Sequence, residues 1–324
     1  NVVKVMLYGN KKIRDEIILK AQEISIQNNV KIIFAANLGS ISKGIPRFYS
    51  DYDTRFLFVR KSFFNKDFSK IFDKPVVSEE NIVYRYYPND ATLFYDRIPL
   101  WDCETFFRFL YEPRIGDNYS CGLYHMLGWT LGSPFLWDPY GLSNKLLPIL
   151  NQHINIFYEL NYWEEYLSER LSNSCIGLKE YMDCIHAALS ILWILNYKKF
   201  PPVYIETLLT MKKLNKFSDR IKKYNMCLRN TIPVKNLPIP FVRDKEIDKW
   251  LYSTLETCQI YLQHESSDNN LNICKTDIVQ ILEIIRESLK PYGINKIDDI
   301  EKGLPESLCT AYFDNLMENG EHYE

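Results

Sequence analysis

The sequence predicts an α+β protein: a small mixed β-sheet head with flanking helices over residues 1–115, followed by an all-helical part over residues 116–324. Three observations predict it. Short runs rich in β-branched and aromatic residues occur only before about residue 115. Beyond that point every periodic stretch has apolar residues at three- and four-residue steps. The composition, 46% hydrophobic and 25% charged over 324 residues, is that of an ordinary folded chain long enough for one large or two ordinary domains.

The head begins with a helix over Lys11 to Asn28, where Ile13, Ile17, Ile18, Ala21 and Ile24 recur at helical spacing. Lys31 to Asn37 is a short buried strand and Asp51 to Arg60 a second. Ser62 to Phe72 reads as a short amphipathic helix. Asn81 to Tyr87 and Ala91 to Pro99 read as further strands, with Pro88-Asn89-Asp90 as the turn between them. Trp101-Asp102 opens a helix, with Asp102 at the N-cap. Helices then follow over Leu142 to Leu171, Leu178 to Phe200, Val203 to Leu214, Phe217 to Leu228, Lys245 to His264, Lys275 to Leu289 and Asp298 to Met317. Pro201-Pro202 breaks the series and starts the next helix. Pro233, Pro238 and Pro240 mark a loop, a candidate subdomain joint near residues 230–243.

Charge and cysteine usage narrow the function classes. The formal net charge of −2 gives no global basic field for nucleic acid. A local cluster does exist, in Lys212, Lys213, Lys216, Arg220, Lys222 and Lys223; it is either a solvated helix face or a contact for RNA or a triphosphate. The eight cysteines are scattered without a Cys-x-x-Cys, so the reading is buried reduced thiols in a cytoplasmic protein rather than zinc ligands or a disulfide framework. No apolar run approaches the roughly 20 residues of a membrane span. The five histidines form no spaced metal pair, and His186, in an apolar helix, reads as a satisfied core residue.

One constellation carries chemistry. Leu38-Gly39-Ser40-Ile41-Ser42-Lys43-Gly44 is a glycine turn after a strand, and Ser50-Asp51-Tyr52-Asp53-Thr54-Arg55 enters the next strand with two aspartates two residues apart. Side chains on a strand alternate faces, so Asp51 and Asp53 point the same way with Cα atoms roughly 6.5–7 Å apart, and Arg55 shares their face. Two such carboxylates can converge on a hard cation, Mg²⁺ or Mn²⁺. The Gly39-Ser40 turn offers backbone N–H groups and a hydroxyl, with no Cβ at Gly39 to crowd a phosphate chain. A phosphate cradle beside a divalent-metal site is the minimum equipment for nucleotidyl transfer. The bland alternative is an Asp-turn leading into a strand.

This pattern resembles the DNA-polymerase-β-type nucleotidyltransferase superfamily, whose signature is a hydrophobic residue, Gly-Gly or Gly-Ser, a gap of about ten residues, then Asp-hydrophobic-Asp or Glu. The fuller string, with Gly44 and Ser50-Asp51-Tyr52-Asp53-x-Arg55-Phe56, resembles the predicted nucleotidyltransferase branch labelled YcgL, also called RNA-ligase-associated. Two more blocks resemble that branch: Trp129 with Ser133-Pro134-Phe135, and Tyr181-Met182-Asp183 through Trp193-Ile194 to Phe200-Pro201-Pro202 and Leu209. The chain departs from the branch at Ile41 and Thr105, where Arg and Lys are usual, at Lys43, where an aromatic is usual, and at Gly128, where Glu precedes the Trp.

The resemblance implies a metal-dependent transfer of NMP from an NTP, such as ATP, to an acceptor hydroxyl, with release of pyrophosphate. It implies an RNA end as acceptor, in repair; a protein or small-molecule hydroxyl is the alternative within the class. Asp51 and Asp53 are the implied metal ligands, joined by a third carboxylate from a neighbouring strand. Asp96 is the reading for that third group, because a lone carboxylate in an apolar strand needs a compensating cation; Asp102 and Asp90 are the alternatives. Gly39 and Ser40 are expected to hold the phosphates, with Lys43, Arg47 and Arg55 as candidate cations. The rival reading is a catalytically weak nucleotide- or RNA-binding module that regulates an RNA-ligase-type partner.

Overall fold

A computed structural model describes residues 11–47, 50, 53–73, 83–86, 98–111, 128, 131–132, 138–173, 176–211, 215–230, 241–264 and 273–292. The head is built on helix α1 (Lys11–Gln27) and four strands, β1 (Val30–Asn37), β2 (Thr54–Arg60), β3 (Val83–Tyr86) and β4 (Ile98–Asp102). The strand order is β1-β2-β4-β3. Strands β1 and β2 run antiparallel, β2 and β4 parallel, and β4 and β3 antiparallel, so the sheet is mixed as expected.

Every residue of β1 is buried, which is why it reads as a continuous apolar run rather than an alternating one. Ile17, Ala21 and Ile24 of α1 are buried, and α1 packs on β1. Leu57 and Val59 of β2 enter a second layer with Trp101, with Phe106 and Phe107 of α2 (Cys103–Tyr111), with Leu142, Leu146 and Leu150 of α3 (Leu142–Gln152), and with Ile278, Ile281 and Ile285 of α9 (Lys275–Leu289). The last described helix therefore packs back on the head.

A separate core joins α4 (Ile156–Leu171), α5 (Leu178–Tyr197), α6 (Ile205–Leu208), α7 (Asn215–Asn230) and α8 (Lys245–His264). Its centre is α5, buried without interruption from Tyr181 to Ile191. That stretch is mostly apolar on every side because neighbours surround it, with Asp183 and His186 among its buried titratable groups. Ile45, from the turn after β1, belongs to this helical core.

Several elements differ from the expected ones. The helix expected over Ser62 to Phe72 is two 3-10 turns, Lys61–Asn65 and Phe68–Asp73. Asp67 starts the second by accepting from Ser69 N at 3.1 Å and Ser69 Oγ at 2.6 Å. The single helix expected over Leu142 to Leu171 is α3 and α4, because Asn155 caps a new start by accepting from Tyr158 N at 3.1 Å. Only Ile205–Leu208 of the expected Val203 to Leu214 helix is helical among the described residues.

Trp101 and Asp102 end strand β4 rather than open a helix, although Asp102 still stands just before α2. Pro99, which has no N–H, precedes the first paired residue of the parallel ladder, Leu100 opposite Phe56. The expected helix over Asp298 to Met317, the proline loop and the boundary at residue 115 lie outside the described residues.

Cys103, Cys184 and Cys258 are free and buried, and burial pushes the Cys184 and Cys258 thiols up to about 12. His186 is a core residue as expected, buried, with Nε2 at 2.7 Å from Val203 O and its ring packed against Trp163. Among the described residues no helix is long and apolar enough to cross a membrane.

Candidate active site

Strands β1 and β2 pair down to Asn37 opposite Thr54, and Leu38 N donates to Asp53 O at 2.9 Å. That bond brings the start of the glycine turn to the foot of β2. The consequence is visible at Gly39. A Cβ there would stand 2.0 Å from Asp53 Oδ2 and 2.9 Å from its Cγ. The bare Cα of Gly39 is what allows the carboxylate to lie against the turn.

From Gly39 to Ile45 the chain makes one helical turn and stops. Lys43 N donates to Gly39 O at 3.2 Å, Ile45 N to Ser40 O at 3.0 Å and Gly44 N to Ile41 O at 3.0 Å. The last two bonds form a Schellman motif, with Gly44 at φ 72° as its left-handed residue. Ser42 Oγ ties the turn from within by donating to Gly39 O at 2.8 Å. Among the described residues, no backbone carbonyl accepts from the N–H groups of Gly39, Ser40 or Ile41. These are the amides that a turn's N-terminus leaves for an anion. Gly39, Ser40 and Asp53 are all half-buried.

Arg55 lies at the start of β2, two residues after Asp53. Its Nη1 donates to Thr54 O at 2.7 Å and its guanidinium lies 5.9 Å from the Trp101 ring. Arg47 is exposed beyond the turn. Asp51, Asp96 and Asp90 lie outside the described residues.

Asp102 does not join Asp53. It pairs in register with Phe58, five residues along β2 from Asp53, and its Oδ2 accepts from Arg60 Nε at 2.8 Å. Five strand residues span about 16 Å, too far to share an ion. Among the described residues no three His, Cys, Asp or Glu side chains cluster for a metal.

Lys43 stands apart from the expectation of a phosphate contact. It is buried, and its Nζ lies 2.9 Å from Asp183 Oδ1 of α5, with Tyr166 beside it. Burial pulls the ammonium down, but Asp183 and the neighbouring tyrosines outweigh it and hold the group above its ordinary value. Burial likewise pushes the Asp183 carboxyl up, and Lys43 more than offsets this, leaving it below the usual carboxylate value.

Three further contacts fix the same turn from the helical side. Ile205 N donates to Lys43 O at 2.9 Å. Asn225 Nδ2 and Arg229 Nη2, both on α7, donate to Gly44 O at 2.8 and 2.6 Å. The Tyr204 ring lies so close that a Cβ on Gly44 would stand 2.3 Å from it.

Three of the departures from the family pattern, at Ile41, Lys43 and Gly128, acquire a reason here. Ile41 is buried where an Arg would have to bury its charge, and Lys43 is spent on Asp183. Gly128 packs so closely on Phe200 that a Cβ would stand 2.3 Å from its ring.

Residues 13–82 match the RNA repair pathway DNA polymerase beta family. The matched segment takes in α1 from Ile13 on, β1, the glycine turn, Asp53 and β2. The resemblance read from Gly39-Ser40 and Asp51-x-Asp53 is borne out over that segment, which is consistent with a polymerase-β-type nucleotidyltransferase head. No curated protein and no solved structure matches the chain.

The sequence reading missed Asn225 and Arg229, which lie 181 and 185 residues from the carbonyl they hold. No local pattern marks them. Asp183 and Tyr204 do fall in the block around α5 and α6 that resembles the family's helical part, and that was their only signal.

The basic cluster is partly spent. Arg220 pairs with Asp244 and Glu246, whereas Lys222 and Lys223 are exposed on α7. A groove lined by Lys66, Arg286 and Lys290 offers little free charge, since these pair with Glu104, Glu283 and Glu287.

Proposed function

We propose that the chain is a divalent-metal-dependent nucleotidyltransferase that moves NMP from an NTP to an acceptor hydroxyl and releases pyrophosphate, with an RNA end as acceptor. The observation that carries this is the contact of Gly39 with Asp53, which sets a half-buried carboxylate against a turn whose leading amides donate to no backbone carbonyl among the described residues. The family matched by residues 13–82 supports the RNA repair context.

The donor chemistry fits Mg²⁺ or Mn²⁺: a hard carboxylate oxygen beside the glycine turn, with Asp51 expected from its two-residue spacing to face the same way. Asp51 and Asp53 would hold the ion, and Asp96 is the proposed third carboxylate. When bound, the ion supplies neutralisation of phosphate charge and activation of the acceptor oxygen.

The chain's own groups do the rest. The Ser40 hydroxyl and the amides from Gly39 onward hold the β and γ phosphates, and their fixed dipoles cost no reorganisation as charge moves to the leaving pyrophosphate. Arg55, braced on Thr54 O and Trp101, keeps a positive charge at the start of β2. In this reading Lys43 acts on the turn and not on the phosphate.

One observation favours the rival reading, a nucleotide-binding module with weak catalysis: Lys43 is tied up by Asp183 and Ile41 stands where the family has Arg. The test is transfer of label from each α-labelled NTP, with Mg²⁺ or Mn²⁺, in the presence of total cell RNA and protein. Label on RNA that vanishes in Asp51→Asn with Asp53→Asn supports the proposal. Label on a protein band moves the acceptor to a protein hydroxyl. NTP binding with no transfer under any condition favours the binding module.

A further inference from the structure

The geometry points to Asn225 and Arg229 as positioning residues for the phosphate turn, acting through the carbonyl of Gly44. The inference rests on the nucleotidyltransferase reading and adds a part for the helical region in it.

Gly44 is the residue that ends the turn. With φ at 72°, its N–H closes on Ile41 O and the next N–H, of Ile45, closes on Ser40 O. The left-handed conformation thus decides whether Ser40 sits in a closed turn with its own amide free. The same conformation aims the Gly44 carbonyl at α7. There Asn225 and Arg229, four residues apart and so on one face of the helix, both donate to it.

A carbonyl with two lone pairs and two donors from one helix is held in direction as well as in place. The other supports converge on the same few atoms: Ile205 N on the neighbouring Lys43 carbonyl, the Tyr204 ring on the Gly44 Cα, Asp183 on the Lys43 ammonium, and the helical core around Ile45. Asp53 bounds the turn on the opposite side. The turn is therefore set by two parts of the chain at once, the sheet at its entry and α5 to α7 at its exit. Only the sheet side is local in sequence.

Both act through the Gly44 carbonyl. Their effect is to hold the amides of Gly39, Ser40 and Ile41 in one arrangement, so that binding a triphosphate costs no ordering of the loop.

The test uses the full chain in four forms: wild type, Asn225→Ala, Arg229→Ala and Arg229→Lys. Two quantities are measured: amide hydrogen exchange resolved at Lys43, Gly44 and Ile45, and the dissociation constant of each Mg-NTP. The expected result is exchange at those three amides at least tenfold faster in both alanine variants, while α5 stays protected. Affinity for the best-bound Mg-NTP falls at least tenfold, and Arg229→Lys recovers part of both.

Unchanged exchange, or faster exchange with unchanged nucleotide affinity, overturns the inference. Loss of protection spread equally through α5 does so too, since that is a structural role only. A wild-type chain that binds no Mg-NTP refutes the nucleotidyltransferase reading itself, and this inference with it, and that outcome is distinct from variants that bind as well as the wild type.

Discussion

The Cα of Gly39 and the carboxylate of Asp53 lie in contact, so close that the smallest side chain at residue 39 would overlap Asp53 Oδ2. The two residues are brought together by the β1–β2 ladder and by the bond from Leu38 N to Asp53 O. A residue chosen for the absence of a side chain thereby sets where the proposed metal-binding group stands.

Gly39→Ala is expected to push the Asp53 carboxylate aside. The atoms that must move belong to a short, half-buried side chain, so the fold should lose only about 1–3 kcal/mol, the usual range for overpacking. Transfer should fall about 100-fold, as for a misplacement of about 1 Å in a positioned group. Thermal denaturation and single-turnover transfer check the two halves; a variant with full activity contradicts the placement of Asp53.

Asp51→Asn with Asp53→Asn should abolish transfer and leave Tm unchanged or raised, because two like charges two residues apart repel. A drop in Tm of many degrees in the same melting experiment would assign the pair to structure instead.

Asp102→Asn should leave transfer intact. Its carboxylate is bonded to Arg60 at the level of Phe58, away from the glycine turn. Loss of transfer at an unchanged melting point would bring Asp102 back as the third carboxylate.

Lys43→Met should cost about 3–5 kcal/mol, because it leaves the Asp183 carboxylate buried without its partner. Pairing it with Asp183→Leu should recover most of that stability, since apolar replacements of a buried pair are often neutral. Urea denaturation of the two single variants and the double variant gives the coupling. Purely additive losses would mean that the pair is not the unit that docks the turn.

The same pair predicts a flat stability plateau with two edges. The Asp183 pKa is lowered on folding, so its contribution is present above the ordinary value of 3.8 and is lost as pH falls through the folded value. The Lys43 pKa is raised, so its contribution is present below 10.5 and is lost as pH rises through the folded value. The difference in unfolding free energy between wild type and Lys43→Met with Asp183→Leu should be constant between those edges. A slope near neutral pH would implicate a different group.

Some of this was legible in the chain itself. The β1 run over residues 31–37, the helices over Lys245–His264 and Lys275–Leu289, and the pairing of Gly39-Ser40 with an aspartate at the mouth of β2 all follow from period, composition and turn chemistry within a few residues. Breaks made by one polar side chain were not legible. Asn155 splitting α3 from α4, and Asp67 splitting two 3-10 turns, act through one or two local hydrogen bonds against an otherwise continuous apolar pattern.

By itself, then, the sequence determined an α+β chain with a glycine turn beside an aspartate that leads into the next strand, because hydrophobic period and the missing Cβ of glycine are properties of neighbouring residues. Only the tertiary structure decided that Lys43 pairs with Asp183, that Asp102 stands level with Phe58, and that α7 grips the Gly44 carbonyl. Each of those depends on where segments more than 40 residues apart are packed. Burial then sets the outcome, since a lysine removed from water must find a carboxylate and a buried carbonyl must find a donor.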